Sequence, residues 1–120
     1  MHNNTELFKN ERNIATFRSG DMIFRQGDEG NLMYVVLDGE VDILANGRYV
    51  NTLHPGDIFG EMALVDDRPR SGSAIANTDC RVAQIDRKRF TFLIQQTPFF
   101  ALEVMHVMAD RLRGYLQPNT

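Results

Sequence analysis

Glycine followed by an acid recurs along the first half of this chain, at Gly20-Asp21, Gly27-Asp28, Gly39-Glu40, Gly56-Asp57 and Gly60-Glu61. Glycine reaches positive φ at little cost, so each pair reads as a turn. Short strand-like runs lie between them: Asn13–Phe17, Met22–Phe24, Leu32–Leu37, Val41–Ala45 and Arg48–Leu53. Asp38-Gly39 and Asn46-Gly47, each between apolar runs, are hairpin signals. A further strand pair is expected at Ser73–Ala76 and Arg81–Ile85. Close-set short strands predict a sandwich or roll rather than βαβ units.

After Ile85 the period changes. Asp86 can cap a helix over Arg87–Gln96, with Phe90, Leu93 and Ile94 on one face. Thr97-Pro98 stops that helix and starts another. Leu102, Met105, Ala109, Leu112 and Leu116 then alternate at three and four, the spacing of a coiled-coil seam. Phe99, Val104 and Met108 form a second strip. One strip is expected in the core and the other against a partner chain or a ligand. Met1–Asn10 and Gln117–Thr120 read as loose ends, with at most Glu6–Asn10 helical.

The chain is 120 residues long and 42% hydrophobic, enough for one domain over 1–120: a roll over about 12–86 and helices over about 87–116. Its net charge of −3 argues against nucleic-acid binding as the main task. Cys80 is the sole cysteine, which excludes an internal disulfide and suits a reducing cytoplasm. The sequence shows neither a signal peptide nor an apolar run long enough for a membrane span.

The chemistry concentrates in Phe59-Gly60-Glu61-Met62-Ala63-Leu64 and Pro69-Arg70-Ser71-Gly72-Ser73-Ala74. Gly60 can end a turn, and Glu61–Leu64 can form one helical turn whose first amides lack partners and attract anions. Arg70 can fold back over the same place, and a guanidinium matches a phosphate with two parallel hydrogen bonds. Glu61 would suit a sugar hydroxyl attached to that phosphate. Taken singly, Glu61 could instead complement a helix dipole, and Arg70 could pair with Asp66 or Asp67 on the surface. The three histidines, His2, His54 and His106, fall in different elements, which disfavours a metal-dependent cupin-like enzyme. A roll acting as an interaction module, with an empty or divergent pocket, is the other alternative.

These two segments closely resemble the phosphate-binding cassette of cyclic nucleotide-binding domains, as in catabolite-activator-like regulators, kinase regulatory subunits and gated channels. The resemblance implies a mainly β fold: a jelly-roll-like β-roll of about eight strands, a short cassette helix and two C-terminal helices. It implies a regulatory, non-catalytic domain without cofactor or metal, whose ligand is cyclic AMP, with cyclic GMP second. Glu61 would take the ribose 2′-hydroxyl and Arg70 the cyclic phosphate. Amides near Gly60, Met62 and Ala63, with Ser71 and Gly72, would complete the shell. Ile43 and Val50 would wall the base, and Leu112, Tyr115, Leu116, Arg111 or Arg113 of the last helix would cover it. Gly72 departs from the family's common alanine, and the N-terminal helical segment is nearly absent. Relatives that regulate transcription continue into a helix-turn-helix, which the sequence after Leu116 does not show. Expected partners are the nucleotide, and a second copy or an effector through the last helix.

Overall fold

The computed structural model describes residues 4–116, with side chains through residue 113. The elements run α1 (Asn4–Phe8), β1 (Ile14–Phe17), β2 (Met22–Phe24), β3 (Met33–Asp38), β4 (Val41–Ala45), β5 (Arg48–Leu53) and β6 (Ile58–Phe59). A 3₁₀ turn at Glu61–Leu64 follows, then β7 (Ser73–Ala76), β8 (Cys80–Ile85), α2 (Arg87–Gln96) and α3 (Pro98–Leu116). The strands form two antiparallel four-stranded sheets, ordered β1-β8-β3-β6 and β2-β7-β4-β5. This is the mainly β roll with C-terminal helices that the sequence predicts.

The run Met-Tyr-Val-Val-Leu in β3 is buried on both faces, so its apolar residues are continuous rather than alternating. Tyr34 and Val36 point into the roll, where they meet Val41, Phe59, Ala74, Ala76, Cys80 and Val82. Met33, Val35 and Leu37 point the other way, onto Phe8, Leu93, Phe100 and Val104. β3 therefore joins the roll's interior to a second core shared with the helices. β6 repeats the division over two residues, Phe59 inward and Ile58 toward the helices.

Asp86 caps α2 as expected, its carboxylate accepting from the Arg89 amide at 2.7 Å. Thr97 closes α2 and opens α3, with its carbonyl accepting from the Phe100 amide at 2.9 Å. The two strips of α3 separate only in part: Val104 and Met108 of the second strip join the core, while Phe99 is 42% exposed. Phe100 and Val104 are core residues, and Val107 and Met108 pack against them. Of the heptad seam, Leu102, Met105 and Leu112 are 66%, 60% and 60% exposed, Ala109 is half-buried, and the Leu116 side chain lies outside the described residues.

The N-terminal segment differs from expectation. Residues 4–8 form a helix rather than a loose end. Phe8 is fully buried and meets the Phe100 ring edge-on, with centroids 5.4 Å apart. The Asn4 amide donates both to the Gly56 carbonyl at 2.9 Å and to Glu103 Oε2 at 2.8 Å. A five-residue helix carries too little periodicity to register in sequence, and the second core, which holds it, is assembled only by the fold. Phe8→Ala is expected to destabilise the protein by about 3–5 kcal/mol through lost burial and a residual cavity, measurable as a lowered urea midpoint. A change under about 1 kcal/mol would mean that α1 is not part of the core.

Candidate functional site

β6 delivers the chain to Gly60, whose φ of 72° lies in the left-handed region. Glycine is needed there twice over, because a Cβ would also sit 2.8 Å from Arg70 Nη1. The expected helical turn over Glu61–Leu64 is present, wound as 3₁₀. Leu64 enters the second core and fixes the turn, and Glu61 at its start is wholly buried.

Arg70 is 8% exposed and lies across the same turn. Its Nη1 donates to the Gly60 carbonyl at 3.0 Å and its Nη2 to the Leu32 carbonyl at 2.8 Å. Its guanidinium carbon stands 4.1 Å from the Phe24 ring centroid and 5.7 Å from that of Tyr34. The backbone is pinned as well: the Arg70 amide donates to Asp28 O at 2.8 Å, and the Gly27 amide donates to Arg70 O at 2.9 Å. Burial pushes Arg70 below the ordinary arginine value, and Tyr34, Asp28 and Glu61 pull it back. The surface pairing with Asp66 or Asp67 is thus replaced by a buried setting built from the β2–β3 loop. Tyr34 is pushed above its usual value, again by burial first.

Among the described residues, the buried side-chain nitrogens and oxygens without a hydrogen-bond partner are Glu61 Oε1, Glu61 Oε2 and Arg70 Nε. Orphaned buried polar atoms are rare and costly. Here they fall on the carboxylate that follows Gly60 in the chain and on the guanidinium that donates to the Gly60 carbonyl. Arg111, on α3, brings Nη1 to 2.8 Å from Glu61 Oε2, an ion-pair distance without hydrogen-bond alignment. Chemically the arrangement offers a cation with N–H groups to spare and a carboxylate that is ion-paired with Arg111 but accepts no hydrogen bond.

The remaining expected residues are placed less uniformly. Ala63 is partly buried in the turn, while Met62 and Ser71 are exposed. Ile43 packs against the roll's inner core. Val50 is 54% exposed. Ile43 opposes Asn51 and Leu44 opposes Tyr49, which leaves Val50 as the extra residue of a bulge on a sheet-edge strand. On α3, Arg111 faces Glu61 and Arg113 pairs with Asp110. The side chains of Tyr115 and Leu116 lie outside the described residues. His54 and His106 pair separately, with Glu40 at 3.2 Å and Asp110 at 3.5 Å.

Sequence reasoning misses Phe24, Gly30, the Leu32 carbonyl and Tyr34, all from β2, β3 and the loop between them. Gly27-Asp28 marks that loop as a turn, but nothing in the sequence ties it to Arg70. Arg111 is expected only as one of five last-helix residues that could cover the base, and its ion pair with Glu61 is not foreseen.

The family model described as cyclic nucleotide-binding domain matches residues 14–97. A cAMP-dependent protein kinase regulatory subunit of Eremothecium gossypii is 44% identical over 80 residues, covering 67% of this chain and 18% of that protein. Rap guanine nucleotide exchange factor 3 of Homo sapiens is 38% identical over 80 residues, covering 65% and 9%. The chain therefore spans less than a fifth of the length of these relatives. Among solved structures, the catabolite activator protein of Thermus thermophilus superposes with a TM-score of 0.76 at 34% identity, covering 85% of this chain and 50% of that one. A chain described as cAMP bound PfPKA-R superposes with a TM-score of 0.70 at 26% identity, covering 85% and 34%.

Gly72, the departure noted in the sequence, has a local cause. A Cβ there would stand 2.6 Å from the Leu44 carbonyl oxygen, so the end of the loop presses on β4 backbone that cannot yield cheaply. Gly72→Ala is expected to cost about 1–3 kcal/mol by overpacking, read from chemical denaturation. A neutral or stabilising substitution would show that β4 and the loop are not in that contact.

Proposed function

The chain belongs to the cyclic nucleotide-binding domain family, and from that premise we propose that residues 1–120 act as one regulatory sensor domain. It binds cyclic AMP and performs no catalysis. The observation that carries the reading is the cluster of unsatisfied buried atoms at Arg70 and Glu61. A cyclic phosphate supplies acceptors for Arg70 and the first amides of the Glu61–Leu64 turn, while a ribose 2′-hydroxyl supplies a donor for Glu61. Gly60, Met62, Ala63, Ser71 and Gly72 form the rest of the phosphate wall. Ile43, with Val50 at the rim, lines the base side and offers no donor to guanine O6. An unpaired O6 would cost on the order of 1–3 kcal/mol, which favours adenine. The names of the similar kinase subunit and of the cAMP-bound structure support the same choice. Ser71 can serve the phosphate or reach a guanine amino group.

Output is assigned to α3. Arg111 ties that helix to the carboxylate proposed for the ribose, so occupancy of the site and the position of α3 are linked. The exposed seam of Leu102, Met105 and Leu112 is the surface through which a second copy or an effector segment would read that position. None of the described helices is long and apolar enough to cross a membrane. The free thiol of Cys80 fits the cytoplasmic setting proposed here.

Isothermal titration tests the reading. The protein is expected to bind cyclic AMP more tightly than cyclic GMP. Arg70→Ala is expected to weaken cyclic AMP by roughly 30-fold to several-thousand-fold, the cost of an anion left without its charged partner. Affinity within a few-fold of wild type, or tighter cyclic GMP binding, would refute the corresponding assignment. A double cycle tests Glu61. 2′-Deoxy cyclic AMP should bind the wild type poorly and lose little more in Glu61→Gln, because both changes remove one contact. Losses that simply add would take Glu61 away from that hydroxyl.

A further inference from the structure

The Arg70 guanidinium is held by groups outside the cassette. One is a ring. Phe24 ends β2, and its centroid lies 4.1 Å from Arg70 Cζ, well inside the range of a cation–π contact. Phe24 stacks in turn on Tyr34, at 5.8 Å and 29°, and lies 6.0 Å from Phe59. Tyr34 and Phe59 stack at 5.0 Å and 18°. The ring under the cation is thus braced by two others that belong to the roll's inner core. Gly30 supplies the space the guanidinium occupies: a Cβ there would press first on Nε, and come within 2.6 Å of Cζ and 2.7 Å of Nη2. Nη1 and Nη2 each donate one N–H to a carbonyl and keep a second, and Nε is the guanidinium nitrogen with no partner at all.

From this geometry we infer that Phe24, with Gly30, is a positioning residue for the phosphate site. Its ring face holds the Arg70 guanidinium in one plane and so fixes the direction of the N–H groups that the two carbonyls leave free. The inference rests on the reading of Arg70 as the phosphate ligand. An arginine freed from the ring would have to be ordered at each binding event, at a cost in affinity. The contact also offsets part of the desolvation of a cation that is 8% exposed. An aliphatic residue at position 24 fills space but has no π face, and tyrosine keeps the face. The contribution of Phe24 is therefore specific to an aromatic ring and depends on Arg70.

The test pairs Phe24→Leu with Phe24→Tyr and uses two readouts. The first is the affinity for cyclic AMP, alone and in an Arg70→Lys background. Phe24→Leu is expected to lose roughly 10-fold with Arg70 present, Phe24→Tyr to stay within about twofold, and the loss to shrink in the Arg70→Lys background, where no planar group is left to stack. Equal losses for leucine and tyrosine, or the same leucine loss in both backgrounds, would reduce Phe24 to packing and overturn the inference. The second readout needs no ligand: the Nε–H signal of Arg70 in a ¹⁵N spectrum, assigned by its disappearance in Arg70→Lys. In the wild type and Phe24→Tyr the ring current displaces it, and Phe24→Leu is expected to return it toward the free-arginine position. A signal unmoved by Phe24→Leu would overturn the stacking even if the protein bound no cyclic nucleotide. Failure of binding with a signal that does move would instead count against the proposed function alone.

Discussion

A guanidinium removed from water must be met on every side, and much of this fold is arranged around that requirement at Arg70. Backbone hydrogen bonds to Gly27 and Asp28 fix where the residue enters, and carbonyls of Leu32 and Gly60 take two of its nitrogens. Gly60 must be left-handed and bare for its carbonyl and Cα to stand so close. The Phe24, Tyr34 and Phe59 rings that support the cation are also the inner core of the roll. Binding-site geometry and core packing are therefore the same contacts, and a substitution in one is felt in the other. Among the described residues, the buried side-chain nitrogens and oxygens without a hydrogen bond are Arg70 Nε and the two Glu61 carboxylate oxygens, of which Oε2 faces Arg111 across an ion pair.

The link from site to surface passes through the second core. Leu64 fixes the 3₁₀ turn among Phe8, Leu93, Phe100 and Val104, which belong to α1, α2 and α3. Asn4 adds a clamp from α1 to Glu103 at the start of α3, while Arg111 reaches Glu61 from its far end. α3 is thus held near its start by apolar packing and toward its end by a charge contact at the site. Under the proposed function, the second hold is the one a ligand changes.

Local signals carried much of this into the sequence. Turn glycines and apolar runs mark seven of the strands to within a residue or two, because each is stated by neighbours in the chain. β6, at two residues, falls below any pattern and exists because β3 offers it an edge. α1 is missed for the same reason, since Phe8 matters only once Phe100 is opposite. At the site, Gly60, Glu61 and Arg70 are legible because their spacing lies within one short segment. Phe24, Gly30 and Leu32 are not, because their relation to Arg70 comes from closure of the roll. Val50 shows the converse. The resemblance puts it against the base, and the sequence does not show the bulge on an edge strand that leaves it 54% exposed.

Under the proposed function, two separate segments, the β2–β3 loop and the Gly60–Ser73 stretch, enclose one ligand around Arg70. Hydrogen exchange of the wild-type protein with and without cyclic AMP measures this directly. The account predicts that exchange slows in residues 25–32 and in residues 60–73 together. Protection of 60–73 with 25–32 unchanged would contradict it, as would no protection in either.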